Sequence, residues 1–257
     1  MNRAELIQTL KRLGYLGALI LIAIGVISAV EWKQVSKVEA IDIEIEALES
    51  GDFLLDSTDV FTTIERSFGY DLRGQQIAKI DVERLERVLE ADPFVLGADV
   101  FIDARNRIKI SLIQREPVLR IIDDNGLNYY LDKDGNKMPL SVHFAAKLLV
   151  ATGNLPPFVP DFLDREKHLL KDLFLLTQRF REDPFLYALV EQVHVRAGEF
   201  ALTPKIGKQI IEFGKYERVE EKIRNLKLFY QEALPYEGWQ KFKKIDLAFE
   251  GQVVGVR

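Results

Sequence analysis

Apolar and polar positions fall into two regimes along this chain. Leu13–Val30, LGYLGALILIAIGVISAV, runs for eighteen residues without a charge, whereas everything after it repeats with the short periods of helices and strands. At ~1.5 Å per residue a helix of that length spans roughly 27 Å, about the hydrocarbon core of a bilayer. Lipid requires a helix there, because each backbone N–H and C=O must be bonded within the segment. The run exceeds the roughly 7–15 apolar residues of a cleaved signal, although Val26 and Ser28 meet the small-residue rule for a cleavage site. The pattern predicts an uncleaved transmembrane helix over 13–30, in contact with the lipid bilayer. Gly14 and Gly17 lack the four-residue spacing of a helix-dimerisation motif. Arg3, Lys11 and Arg12 outweigh Glu5 before the span, which makes 1–12 a cytoplasmic tail and places the rest outside. Tyr15 and Trp32 sit where interfacial aromatics belong.

After the span, Val38–Glu46 alternates Ile41, Ile43 and Ile45 with Asp42, Glu44 and Glu46, the pattern of a half-buried strand. Asp56-Ser57-Thr58 offers N-cap groups to a helix with Val60, Phe61, Ile64 and Phe68 on one face, closed by Gly69. A second helix begins near Asp81, buries Val82, Leu85, Val88 and Leu89, and stops at Asp92-Pro93. Val95–Asp103 and Ile108–Gln114, joined by Ala104-Arg105-Asn106, read as a hairpin.

From Leu119 the pattern predicts a meander: Leu119–Ile122, a turn at Asp124-Asn125-Gly126, Leu127–Leu131, a turn at Asp134-Gly135, then a strand at Lys147–Ala151. A loop with three prolines, Asn154–Pro160, leads into a helix over Asp164–Arg181. The meander continues with Val190–Arg196, Glu199–Leu202 and Gln209–Phe213. A second long helix covers Glu217–Leu234, and Lys244–Phe249 is a final strand. If that strand lies at the sheet edge, its free backbone groups can accept a strand from another protein; Leu247 and Phe249 equally fit a role as core filling. The acidic face of Asp42, Glu44 and Glu46 reads as solvated.

Charge narrows the function classes. The whole chain has 35 basic and 40 acidic residues; without Arg3, Lys11, Arg12 and Glu5 the exported part keeps 32 and 39, a formal charge of −7. No clustered positive potential is present to drive phosphate contacts, so nucleic acid is not a partner. The absence of cysteine removes disulfides, thiol catalysis and thiolate metal sites together.

Catalytic and metal motifs are missing. Asp132-x-Asp134-Gly135 fails as a calcium loop, because the places for its glycine and glutamate hold Lys137 and His143, and it reads as a hairpin turn. His143, His168 and His194 have no ligand-like spacing, so no metal and no cofactor are expected. A wall hydrolase using two carboxylates is the enzyme alternative. Without a Gly-x-Ser-x-Gly elbow, a His-Glu-x-x-His pair or a glycine-rich phosphate loop it has no support, and no catalytic residue is named.

The order strand, helix, helix, strand, strand over 38–115, just outside an anchor, resembles the polypeptide-transport-associated (POTRA) module. Arg115-Glu116-Pro117-Val118-Leu119-Arg120 resembles the junction segment of the bacterial division family called FtsQ in Gram-negative and DivIB in Gram-positive bacteria. Tyr129-Tyr130-Leu131-Asp132-Lys133-Asp134-Gly135 with Met138-Pro139-Leu140 is similar to the hairpin opening that family's second domain. Ile245-Asp246-Leu247-Ala248-Phe249 with Gly251-Gln252-Val253-Val254 is similar to its closing strand. The expected fold is therefore α+β: a tail (1–12), a single transmembrane helix (13–30), a POTRA-like βααββ module (38–115) and a larger, mainly antiparallel β-domain with packed helices (116–257).

The resemblance implies a non-catalytic divisome scaffold in the cytoplasmic membrane, single-pass with its N-terminus inside, found at the division septum. It implies that the closing strand and the residues just beyond it receive a strand from the bitopic protein FtsB, itself paired with FtsL. The matching positions are Leu247, Phe249, Gly251, Val253 and Val254. Other divisome proteins would dock on the POTRA-like module. The alternative is a polypeptide-transport envelope module, which typically has POTRA repeats ahead of a β-barrel.

Overall fold

A computed structural model describes residues 14–24 and 36–257. Residues 14–24 are helical and exposed. Among the described residues no helix is long and apolar enough to cross a membrane. The tail 1–12 and the ends of the expected span, Leu13 and 25–30, lie outside the described residues. The chain divides into two compact units, one ending with Leu55–Gln114 and the other made of Leu48–Leu54 and Arg115–Arg257.

The first unit contains β1 (Ala40–Glu46), α1 (Ser57–Phe68), a 3₁₀ turn at Ile77–Lys79, α2 (Val82–Glu90), β2 (Val95–Ile102) and β3 (Arg107–Gln114). Asp56 caps α1 by accepting from Thr58 N and Asp59 N, while Asp59 reaches back to Asp56 N, a reciprocal pair that satisfies donors the helix leaves open. Gly69, at φ 76°, ends it. The sheet order is β1-β3-β2, with β1 parallel and β2 antiparallel to β3. Alternation then sends Ile41, Ile108, Ile110, Leu112, Val95 and Val100 into one core with Val60, Ile64, Leu85 and Leu89. Burying each such side chain is worth about 1.5–3 kcal/mol. Val82 and Val88, expected inside, are only half-buried.

The second unit is built on a nine-stranded sheet: β4 (Pro117–Asp123), β5 (Asn128–Asp132), β6 (Lys137–Met138), β7 (Leu149–Gly153), β8 (Val190–Arg196), β9 (Glu199–Pro204), β10 (Ile210–Gly214), β11 (Lys244–Asp246) and β12 (Val254–Val256). Its order is β12-β11-β10-β9-β8-β7-β4-β5-β6. One face carries α3 (Leu169–Glu182) and α5 (Val219–Leu228), whose Leu173, Phe174, Leu176, Phe180, Ile223 and Leu226 share a core with Leu119, Ile121, Val193, Phe200, Leu202, Phe213 and Ile245.

Antiparallel pairs predominate, but the expected continuous meander is corrected. β7 is central and runs parallel to both β4 and β8. Parallel neighbours need a long crossover, and α3 with the short α4 (Pro184–Leu189) supplies the one from β7 to β8. Helix boundaries also move. α3 starts at Leu169 rather than Asp164; the residues before it form turns in which Asp161 accepts from Asp164 N through its carbonyl and from the Arg165 guanidinium through its carboxylate. Asp183 then caps α4 through Phe185 N and Leu186 N, with Pro184 at the first helical position. The second long helix breaks into a wider π turn at Phe229–Ala233 and α6 (Leu234–Glu237). Pro235 has no N–H to give Gln231, so the regular ladder cannot continue there.

Three turns repeat one device. Asp103, Asp123 and Asp132 each accept, through Oδ1, the N–H groups two and four residues on, at 2.7–2.9 Å. In each the residue three places on has positive φ: Asn106, Gly126 and Gly135. The side chain replaces the backbone acceptor the turn lacks, and a left-handed residue completes it. The Asp132-x-Asp134-Gly135 sequence is thus a hairpin.

Candidate functional site

The final strands depart from the sequence expectation. Lys244–Phe249 is not one edge strand: β11 stops at Asp246, whose Oδ1 accepts Ala248 N at 3.0 Å and bends the chain away. β11 is moreover sandwiched, pairing parallel with β10 and antiparallel with β12 through Lys244–Val256, Ile245–Gly255 and Asp246–Val254. Among the described residues the sheet ends at β12 on this side and at β6 on the other.

The connection from Leu247 to Val253 is pinned at three points. Leu247 N donates to Glu212 O at 2.9 Å, Arg218 Nη2 donates to Ala248 O at 2.7 Å, and Gly251 N donates to Glu221 Oε1 at 2.7 Å. Arg218 and Glu221, themselves 3.6 Å apart, stand at the start of α5 and fix the loop to the helix. Gly251, at φ 67°, makes the turn that returns the chain along β11.

The structure therefore divides the five sequence-named residues. Leu247 is 2% exposed and packs in the core. Phe249, outside any strand, is 50% exposed. Gly251 lies at the exposed turn, Val253 packs half-buried against the core, and Val254 begins β12. Sequence reasoning missed Gly255, Val256, Arg218 and Glu221. The run Val253-Val254-Gly255-Val256 after a glycine turn was the available signal for a separate strand.

Across the solvent face, register brings Thr152, His194, Ala201, Glu212, Asp246 and Val254 into one row. Lys244 Nζ lies 3.6 Å from Glu212 and 3.4 Å from Asp246. Burial works against its charge, but the Glu212 and Asp246 carboxylates outweigh it and raise its pKa. These groups border a shallow cavity of about 460 Å³. The chemistry on offer is recognition: an end strand, β12, with a neighbour on one side only among the described residues, an exposed aromatic, Phe249, and half-buried valines.

Comparison with known proteins places both units. Residues 36–113 match a POTRA-like domain, and residues 116–256 match the model described as FtsQ/DivIB, C-terminal related. The cell division protein FtsQ of Rhodothermus marinus is 31% identical over 189 residues, 70% of this chain and 67% of the relative.

Proposed function

Because the chain belongs to the FtsQ/DivIB family of cell division proteins, we propose that it is a non-catalytic scaffold of the divisome that captures an FtsB/FtsL-type pair by strand addition at β12. The observation that carries this is the position of β12 at one end of the nine-stranded sheet, reached through a connection that carries the half-exposed Phe249. A partner strand laid along Val254–Val256 would complete the ladder, and Phe249, Gly251, Val253 and Val254 would supply side-chain selectivity while buried Leu247 sets the position of the loop.

The apolar run 13–30 would hold the protein in the cytoplasmic membrane, N-terminus inside, and the POTRA-like unit would meet neighbouring divisome proteins at the septum. Confinement of all partners to one membrane raises their effective concentration, so each contact can be modest.

Calorimetric titration of the full chain in detergent with the soluble part of its own FtsB/FtsL-like pair tests this reading, alongside a chain ending at Val253. Binding by the parent that is lost on removing β12 supports it. Equal binding by the two would overturn the strand-addition site, and no binding by the parent would overturn the choice of partner.

A further inference from the structure

The two edges of the three-stranded sheet in the first unit are not alike. Along β2, Val100 N donates to Glu86 Oε1 at 2.9 Å and Ala98 N to Glu90 Oε1 at 3.5 Å. Two carboxylates one turn apart on α2 thus occupy the donors of that edge. Covering an edge in this way blocks pairing with another chain.

Along β1 the edge is open for a defined length. In a parallel ladder alternate residues turn their backbone groups to the neighbour. Glu39 N donates to Asn106 O at 3.0 Å, which assigns the odd positions to β3 and turns the even ones outward. Before β1 the outward groups are already taken: Val38 N donates to Gln75 O, Gly74 N to Val38 O, and Ile77 N to Ser36 O, at 2.8–2.9 Å. At the far end Glu46 O accepts from Gln114 Nε2 at 2.8 Å. Between these stops Ala40, Asp42 and Glu44 present N–H and C=O along an edge with which no strand among the described residues pairs.

The flanking side chains specify what would fit. Asp42 is met by Lys109 at 2.7 Å and Arg107 at 3.1 Å, whereas Glu44 and Glu46 are exposed and have no ion pair among the described residues. On the opposite face Ile43 and Ile45 are half-buried and pack at the margin of the core. We propose that the β1 edge takes up, by strand addition, an extended segment of a partner protein about five residues long in which basic residues alternate with β-branched apolar ones. Its cations lie beside Glu44 and Glu46, and its apolar side chains extend the row of Ile43 and Ile45. This surface is separate from β12 and does not depend on the role assigned to β12.

The test uses the full chain in detergent and a labelled peptide, Lys-Val-Lys-Val-Lys-Val-Lys, followed by fluorescence anisotropy and hydrogen exchange. One control peptide is N-methylated at alternate backbone nitrogens, keeping the charge and removing the donors. Glu44→Lys reverses the local charge, and Glu44→Pro removes one outward N–H at a position where an edge strand tolerates proline. The expected result is binding that protects 40–46 from exchange, disappears with the N-methylated peptide and weakens at least tenfold in either variant. Should Glu44→Pro fold poorly, Glu44→Lys carries the test alone. Equal binding of the N-methylated peptide, unchanged affinity in Glu44→Lys, or protection at 95–102 or 254–256 instead would overturn the proposal.

Discussion

Gly255 faces the ring of Phe242 so closely that a Cβ on the glycine would stand 2.5 Å from Phe242 Cδ1. Phe242 in turn packs against Phe229, ring centres 5.5 Å apart and planes inclined at 59°, so it cannot retreat freely. The edge strand β12 is seated by the absence of a side chain at its centre. Gly255→Ala should therefore cost about 1–3 kcal/mol, as overpacking does, and the loss should be local. Hydrogen exchange at 254–256 is expected to accelerate at least tenfold while Ile245 in β11 keeps its protection, and capture of the partner pair should fall with it.

Phe249 offers the complementary experiment, because it is exposed and supports no core. Phe249→Ala should leave thermal stability within about 0.5 kcal/mol of the parent but weaken titration with the FtsB/FtsL-like pair at least tenfold, about 1.4 kcal/mol. A large fall in melting temperature, or an unchanged affinity, would count against its role at the rim.

Asp132 links acid stability to one buried ion pair. Its side chain is 1% exposed and its Oδ2 lies 2.8 Å from Arg115 Nη1. Burial pushes the carboxyl up, but the bonds from Arg115, Asn136 and Asp134 prevail and hold it below its ordinary 3.8. A carboxylate with a lowered folded pKa contributes stability above its unfolded value and loses it as pH falls through the folded one. Melting followed from pH 7 downward should hold until about pH 4 and then drop. Asp132→Asn should be destabilised at pH 7 by about 1.5–3 kcal/mol, the worth of a hydrogen bond to a charged group, and should show a shallower acid slope.

The repeated aspartate turns allow backbone strain to be separated from crowding. Gly126 and Gly135 have φ of 83° and 84°, but a Cβ at Gly126 meets nothing within 4 Å, whereas one at Gly135 stands 2.8 Å from Leu163 Cδ1 and 3.1 Å from Phe162 Cζ. Gly126→Ala should cost about 1–2 kcal/mol from the left-handed conformation alone. Gly135→Ala should cost more, read as a larger shift in denaturation midpoint at equal slope.

Local patterns made the first unit legible. The Asp56 and Asp81 caps, the Gly69 stop and the alternation of Ile41, Ile43 and Ile45 are all written within a few residues, and each predicted its element. The second unit was legible strand by strand, but not in its order. Nothing near Leu149 announces that β7 will insert between β4 and β8, because its neighbours in the sheet lie about 30 and 40 residues away along the chain. The edge was misjudged for a similar reason. Ile245 to Phe249 alternates well enough for one strand, and only the Asp246 side chain bonding Ala248 N ends it early. Leu247 and Phe249, a single repeat apart, consequently have opposite fates, one in the core and one in solvent.

The order of the sheet also carries a timing rule. β12 rests on β11, β11 on β10, and β10 on β9, so the end strand proposed to receive the partner is composed of residues made after the rest of the sheet. A chain that stops short of Val254 can form the first unit and most of the second, yet it lacks the strand proposed to receive the FtsB/FtsL-type pair. Under the role proposed for β12, capture is thereby reserved for chains in which the nine-stranded sheet has closed at this end, so one short strand reports on the order of all the strands behind it.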